Sequence, residues 1–208
     1  MSAVDDTARR AGRLPRTARR RQLLDAALAV FTAQGYHAAA MDDIAEKAGV
    51  SKPVLYQHFP GKRELYLALL DESAESLLDA VRAALASTHD NKLRVRATMS
   101  AYYHYVEDTT GAFRLIFESD FTGEPDVRER VDKVGRQCAE MIAAVIAEDT
   151  GLPPAESRLL GAALAGVAQV TARTWTAEGS SIPREEAIDL VSSLVWRGIK
   201  GVPLRESP

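Results

Sequence analysis

From Thr17 almost to the carboxyl end, apolar residues recur at three- and four-residue intervals in runs stopped by glycine or proline. No run alternates at the two-residue spacing of a half-buried strand, so the pattern restricts the chain to an all-α fold. Its 208 residues, 46% of them hydrophobic, suffice for a large core in one or two units. In the first run Leu24, Leu28 and Phe31, with Ala27 between, share a face, and Gly35 is the natural stop. A short helix follows over MDDIAEKAG. Asp42, Asp43 and Glu46 lie near its positive end, Ile44, Ala45 and Ala48 face inward, and Gly49 closes it. A third spans SKPVLYQHF, with Ser51 as N-cap, Pro53 in the first turn and Pro60–Gly61 as terminator. Further helices are expected at about 63–86, 91–108, 111–120, 126–149, 156–178 and 183–200, nine in all.

Net charge divides along the chain. The formal total is -3, but residues 1–63 hold eleven Lys and Arg against six Asp and Glu, net +5, leaving -8 for residues 64–208. A basic head on an acidic body confines attraction for phosphate to one end. The first 15 residues are polar, Arg-rich and broken by Gly12 and Pro15, which reads as a flexible basic arm. They carry no apolar run like that of a secretory signal, and no later stretch reaches membrane-spanning length uninterrupted by charge. The expectation is a soluble, cytoplasmic protein with no membrane partner. The single cysteine, Cys138, can form no internal disulfide and has no clustered ligands for zinc, which leaves it as a small buried residue.

Two short helices joined by the AGVS turn have the form of a helix-turn-helix, a motif whose second helix enters the major groove. In SKPVLYQHF, Leu55 and Phe59 share one face, while Lys52, Pro53, Tyr56 and Gln57, at positions i, i+1, i+4 and i+5, share another. One face can pack while the other reads DNA.

The stretch from Arg19 to Leu65, with LLDAALAVF, the GY at 35 and 36, IAEKAGVSKPVLYQHF and GKRELY, resembles the amino-terminal signature of the TetR family of regulators. Within it, LYQHF, RLIFESDF and GYHAAAMDDIA look most like an actinobacterial, FasR-like branch concerned with fatty-acid synthase genes. The family resemblance implies a DNA-binding domain over 16–62 and an effector-binding, dimerising domain over 63–208. Carried over position by position, it implies that Lys52, Pro53, Val54 and Gln57 face base edges while Tyr56, His58 and Lys62 hold phosphates. Chemistry agrees in part: Gln pairs with adenine, Lys donates to guanine or phosphate, and Tyr and His offer polar tips on rigid rings. Val54 stays open between packing and a thymine methyl, and His58 between phosphate contact and partial burial. The sequence departs from the family at Ala39 and Ala40, where Thr is usual. Ala40 cannot cap the second helix, at a cost of about 1 kcal/mol. Arg9, Arg10, Arg13, Arg16, Arg19, Arg20 and Arg21 are candidates to restore affinity along the backbone or in a minor groove.

One short recognition helix reads few base pairs, so a palindromic double-stranded operator and a homodimer are expected. The last two helices are the expected interface. Gly161, Ala162, Ala163, Ala165, Gly166 and Ala168 form a small-residue surface beside Leu160, Leu164 and Val167, and Ile188, Val191, Leu194 and Val195 follow in the final helix. The central helices concentrate aromatics. Met99, Tyr102, Tyr103, Phe113, Ile116, Phe117, Phe121, Met141 and Val145 stand where the resemblance implies an effector cavity, suited to a small apolar or acyl ligand; the narrower branch implies a long-chain acyl-CoA. Read from residues alone, the same set is also ordinary core. No cofactor is expected. No paired carboxylates, nucleophile with base, metal spacing or Gly-rich phosphate loop points to an enzyme, and His37, His58, His89 and His104 are scattered. The alternative reading is a helical interaction module or a small-molecule-binding protein without DNA activity.

Overall fold

The computed structural model describes residues 14–107, 111, 123–177 and 181–198. Among these are eight helices: α1 (Arg16–Ala38), α2 (Met41–Lys47), α3 (Lys52–His58), α4 (Lys62–Ala86), α5 (Asn91–Glu107), α6 (Pro125–Thr150), α7 (Pro154–Ala177) and α8 (Arg184–Arg197). No strand occurs among the described residues. The helix expected at 111–120 lies outside them, as does the arm up to Arg13.

The chain divides into two compact units, Met1–Leu69 and Leu70–Pro208. The boundary falls inside α4 rather than at the Pro60–Gly61 turn, because the first turns of α4 belong to the core of the first unit. Leu65, Tyr66 and Leu69 are buried there, and Tyr66 stands edge-on to Phe31 and Tyr36, both 5.1 Å between ring centroids. Leu23, Leu24, Ala27, Ile44 and Leu55 complete that core. Gly35 has φ 76°, a conformation open to glycine, and α1 breaks there before a last turn to Ala38. The sequence marks this break correctly but not the turn beyond it. Gly49, with φ 64°, ends α2: its N–H bonds to the Glu46 carbonyl at 2.9 Å, and that of Val50 to Ala45 at 3.0 Å.

Neither short helix of the head is capped by a side chain. Ala40 precedes α2 with no side-chain cap bond, as its methyl dictates. Ser51 occupies the N-cap position of α3, but its hydroxyl also makes no cap bond. The expectation from residue type is therefore corrected: the Ser51 carbonyl, accepting from Val54 and Leu55, closes the first turn instead.

The second unit is built on the α6–α7 pair, its most extensive helix contact. Here Gly161, Ala165 and Ala168, expected on the surface between copies, are buried within the chain. Gly161 lies against Ala139 and Ala143 of α6, so its missing side chain serves an internal approach. Ile188 and Val191 are likewise buried inside. Ion pairs, mostly solvent-exposed, also link the other helices. Arg96 of α5 reaches Asp189 (2.7 Å) and Glu185 (3.0 Å) of α8, Arg94 reaches Asp149 of α6 (2.6 Å), and Arg130 of α6 reaches Asp71 of α4 (2.8 Å). Among the described residues no helix is long and apolar enough to cross a membrane.

Candidate nucleic-acid interface

α3 splits by burial as its spacing requires. Leu55 and Phe59 are buried, Val54 and His58 are half-buried, and Lys52, Pro53, Tyr56 and Gln57 are exposed. Tyr56, 48% exposed, is an aromatic ring at the surface. The turn leading into the helix is held by α1: Gln22 donates to the Ala48 carbonyl at 2.8 Å and accepts from Arg19 at the same distance. The Arg20 guanidinium lies over the Phe59 ring, 4.5 Å from its centroid.

Beside the exposed face, Leu14, Arg16 and Arg19 meet Val54, Gln57 and His58 around a cleft of about 440 Å3. Its charge is concentrated: the His58 imidazole is held below the ordinary histidine range, first by desolvation and then by Arg16, Arg20 and Arg19. Desolvation would disfavour any charge here, and only the three guanidiniums favour an anion. Arg9, Arg10 and Arg13 lie outside the described residues.

Two lysines have partners that sequence reasoning missed. Lys52 Nζ is 2.5 Å from Asp42 Oδ2, both side chains more than half exposed. Asp42 in the first turn of one helix and Lys52 at the start of the next, joined by a tight turn, are a legible pair in retrospect. Lys62 is different. Its ammonium donates to the carbonyls of Tyr36 (2.8 Å), His37 (3.2 Å) and Ala39 (2.9 Å) and lies 4.6 Å from the Tyr36 ring centroid. Nothing in its local sequence signals this, since the acceptors lie more than 20 residues back.

In the second unit, the expected effector residues separate. Met99 and Val145 line a cavity of about 380 Å3 with Thr98, Ile142, Leu164 and Trp196, while Asn91, Arg94, Asp149 and Thr150 supply its polar members. Tyr102 and Tyr103 are core. Tyr102 bonds to Cys138, and burial pushes its hydroxyl far above the ordinary tyrosine range. Tyr103 is raised by burial, opposed by its bond to Thr171, and packs 5.5 Å from Trp175. Burial also raises the Cys138 thiol, so it is a poor nucleophile. Met141 is half-buried on α6 and does not line the cavity. Phe113, Ile116, Phe117 and Phe121 lie outside the described residues. A larger groove of about 730 Å3 between α4 and α5 opens widely over Ala80, Ala84, Ala97 and Ala101 beside Arg96 and His104. The smaller, better-enclosed cavity suits an apolar ligand more.

A buried-backed α3 with an exposed polar face, a left-handed glycine before it and a basic cleft beside it define a helix-turn-helix head on a helical body. Residues 23–69 match the model of "Bacterial regulatory proteins, tetR family", and residues 91–198 that of a "Tetracyclin repressor-like, C-terminal domain". The chain belongs to the TetR family, and is thereby a DNA-binding transcriptional regulator that acts on operator DNA as a dimer. Among its relatives, the HTH-type transcriptional activator FasR of Mycolicibacterium smegmatis is 42% identical over 96% of this chain and 91% of its own. This supports the FasR-like branch. A TetR-like regulator from Rhodococcus sp. RHA1 superposes with a TM-score of 0.72 at 29% identity, covering 91% of this chain and all of its own. The fold is also that of FadR from Bacillus subtilis, solved with stearoyl-CoA: TM-score 0.72, 20% identity, 86% and 98% coverage.

Proposed function

We propose that the chain reads a palindromic operator with α3, pairs with a second copy through α7 and α8, and is gated by an acyl effector of the acyl-CoA class to control lipid genes. The observation that carries the DNA part is the exposed Lys52, Pro53, Tyr56 and Gln57 face directly beside the Arg16, Arg19 and His58 cleft. Gln57 takes an adenine edge, Lys52 leaves Asp42 for a base or phosphate, Pro53 and Val54 make apolar contact with thymine methyls, and Tyr56 donates to a phosphate. Arg16 and Arg19 clamp the backbone. A phosphate at His58 opposes the three guanidiniums, so DNA binding draws a proton onto the ring. The residues assigned to DNA fall within 16–62, on a core completed by the first turns of α4 up to Leu69, and the effector and dimer functions fall to the rest of 63–208.

Salt and sequence dependence test this. Selection from a genomic library yields the operator fragment, and affinity is then measured against salt and pH. Arg16→Ala is expected to weaken all duplexes alike and lower the salt slope by about 2 per dimer, given roughly 0.9 per neutralised phosphate. Gln57→Ala is expected to alter preference at one position of each half-site by roughly tenfold or more. Wild-type affinity rises as pH falls through the His58 range. Binding that ignores salt would refute the reading, and a Gln57→Ala protein with unchanged preference would remove that residue from the base-reading set.

The effector part rests on the 380 Å3 cavity, within the size range of small-molecule sites and lined mainly by aliphatic side chains. It is supported by the FasR relative and by the FadR fold, a protein that was solved with stearoyl-CoA. A ligand shifts DNA affinity only through unequal affinity for two states of the body. Palmitoyl-CoA is expected to change operator affinity of the wild type, and Val145→Trp, which fills the cavity, is expected to abolish that response while leaving ligand-free DNA binding intact. An unresponsive wild type rejects the acyl effector. A Val145→Trp protein that still responds rejects this cavity.

A further inference from the structure

We infer that Lys62 is a positioning residue, an internal clasp that closes the amino end of α4 onto the carboxyl end of α1 and thereby sets α3, rather than a ligand for DNA phosphate. Four contacts carry this. The ammonium has three N–H donors, and the structure supplies three acceptors, the carbonyls of Tyr36, His37 and Ala39 at 2.8, 3.2 and 2.9 Å. The Tyr36 ring, 4.6 Å from Nζ, covers a fourth side. These carbonyls lie in and just beyond the last turn of α1, where helical carbonyls lack intrahelical partners and the helix dipole presents its negative end.

The position itself argues for an internal role. Lys62 is the first residue of α4, and a cation at a helix amino terminus is opposed by the dipole. The opposition is offset by the neighbouring helix end, which favours the charge. What lies between the two clasped ends is α2, the turn and α3. With Gln22 bonded to the Ala48 carbonyl at 2.8 Å, the clasp leaves the helix-turn-helix tied to the helices on both sides of it. A phosphate could recruit all three N–H groups only by breaking the bonds to Tyr36 and Ala39, both part-buried, as well as the exposed one to His37.

Arginine distinguishes the roles. It keeps the charge and binds phosphate bidentately, but its flat fork cannot converge on three carbonyls arranged around a point ammonium. For a clasp, both Lys62→Gln and Lys62→Arg should lose roughly ten- to hundredfold in affinity for the selected operator fragment, the range of one charge-assisted bond. Affinity for a random duplex of equal length should fall less, because register rather than charge is lost, so the ratio of the two affinities shrinks. For a phosphate ligand, Lys62→Arg would bind with parental affinity, and Lys62→Gln would weaken both duplexes equally with a salt slope lower by about 2 per dimer. That result overturns the inference.

Lysine acetylation footprinting of the unmodified full-length protein gives an answer even if the variants fold poorly. The clasped Lys62 should react slowly with acetic anhydride with and without the operator fragment, while exposed Lys52 reacts quickly when free. A Lys62 as reactive as Lys52 in the free protein, and protected by DNA, also overturns it.

Discussion

Gly161→Ala should lower the melting temperature by roughly 4–8 °C, although alanine is the better helix former by about 1 kcal/mol. A Cβ at this position would overlap the Ala139 carbonyl oxygen and stand 2.9 Å from both the backbone nitrogen and the Cβ of Ala143. These are the backbone of α6 and the root of a side chain, with no flexible tip to swing away. The α6–α7 pair must separate, at an overpacking cost of about 3 kcal/mol, the upper end of the usual range. The propensity gain recovers only a third of that, so the overlap decides the sign. Gly135 of α6 supplies the contrast. A Cβ there meets nothing within 4 Å, and Gly135→Ala should stabilise by about 0.5–1 kcal/mol. Thermal unfolding followed by circular dichroism measures both. A Gly161→Ala protein melting at or above the parental temperature would show that the two helices are not locked at this separation.

The second large effect concerns the face proposed for the partner copy. Of the ten large hydrophobic side chains exposed among the described residues, six lie on α7 and α8: Leu159, Leu160, Val170, Leu190, Leu194 and Trp196. Leu159 and Val170 are 71% and 62% exposed. Isolated exposed leucines are unremarkable, but this concentration on two consecutive helices marks a surface that a dimer would cover. The double variant Leu160→Glu, Leu194→Glu places two carboxylates per copy in that surface, each paired with nothing once desolvated. Light scattering should find a monomer. Operator affinity should fall by roughly two to four orders of magnitude, because the second head no longer benefits from being tethered to the first. Both side chains are exposed in the single chain, so its own fold is expected to survive. A dimer of undiminished stability would move the interface off these helices, leaving dimerisation itself untouched.

Gly161 and Leu160 are neighbours in sequence and both suggest an interface, yet one is consumed inside the chain and the other is left outside. Helical spacing assigns residues to faces but not faces to neighbours. The same ambiguity separated Met99, beside a cavity, from Tyr102 and Tyr103, which bond to Cys138 and Thr171 in filled core.

The sequence by itself determined the all-α class, the positions of the described helices to within a few residues, the break at Gly35 and the division of α3 into a buried and an exposed face. Each is a local consequence of backbone preference and of which side chains avoid water, both legible over a few turns. Only the tertiary structure decided what the charged and small residues do. Lys62 has the same charge wherever it points, and three carbonyls brought near by the fold, not its own neighbours in the chain, turn it inward. Ser51 is a good cap by type but stands with its hydroxyl unengaged in capping, and Gly161 owes its necessity to a helix that begins 36 residues before it. Long-range partners are chosen by geometry, and a one-dimensional pattern carries no record of that choice.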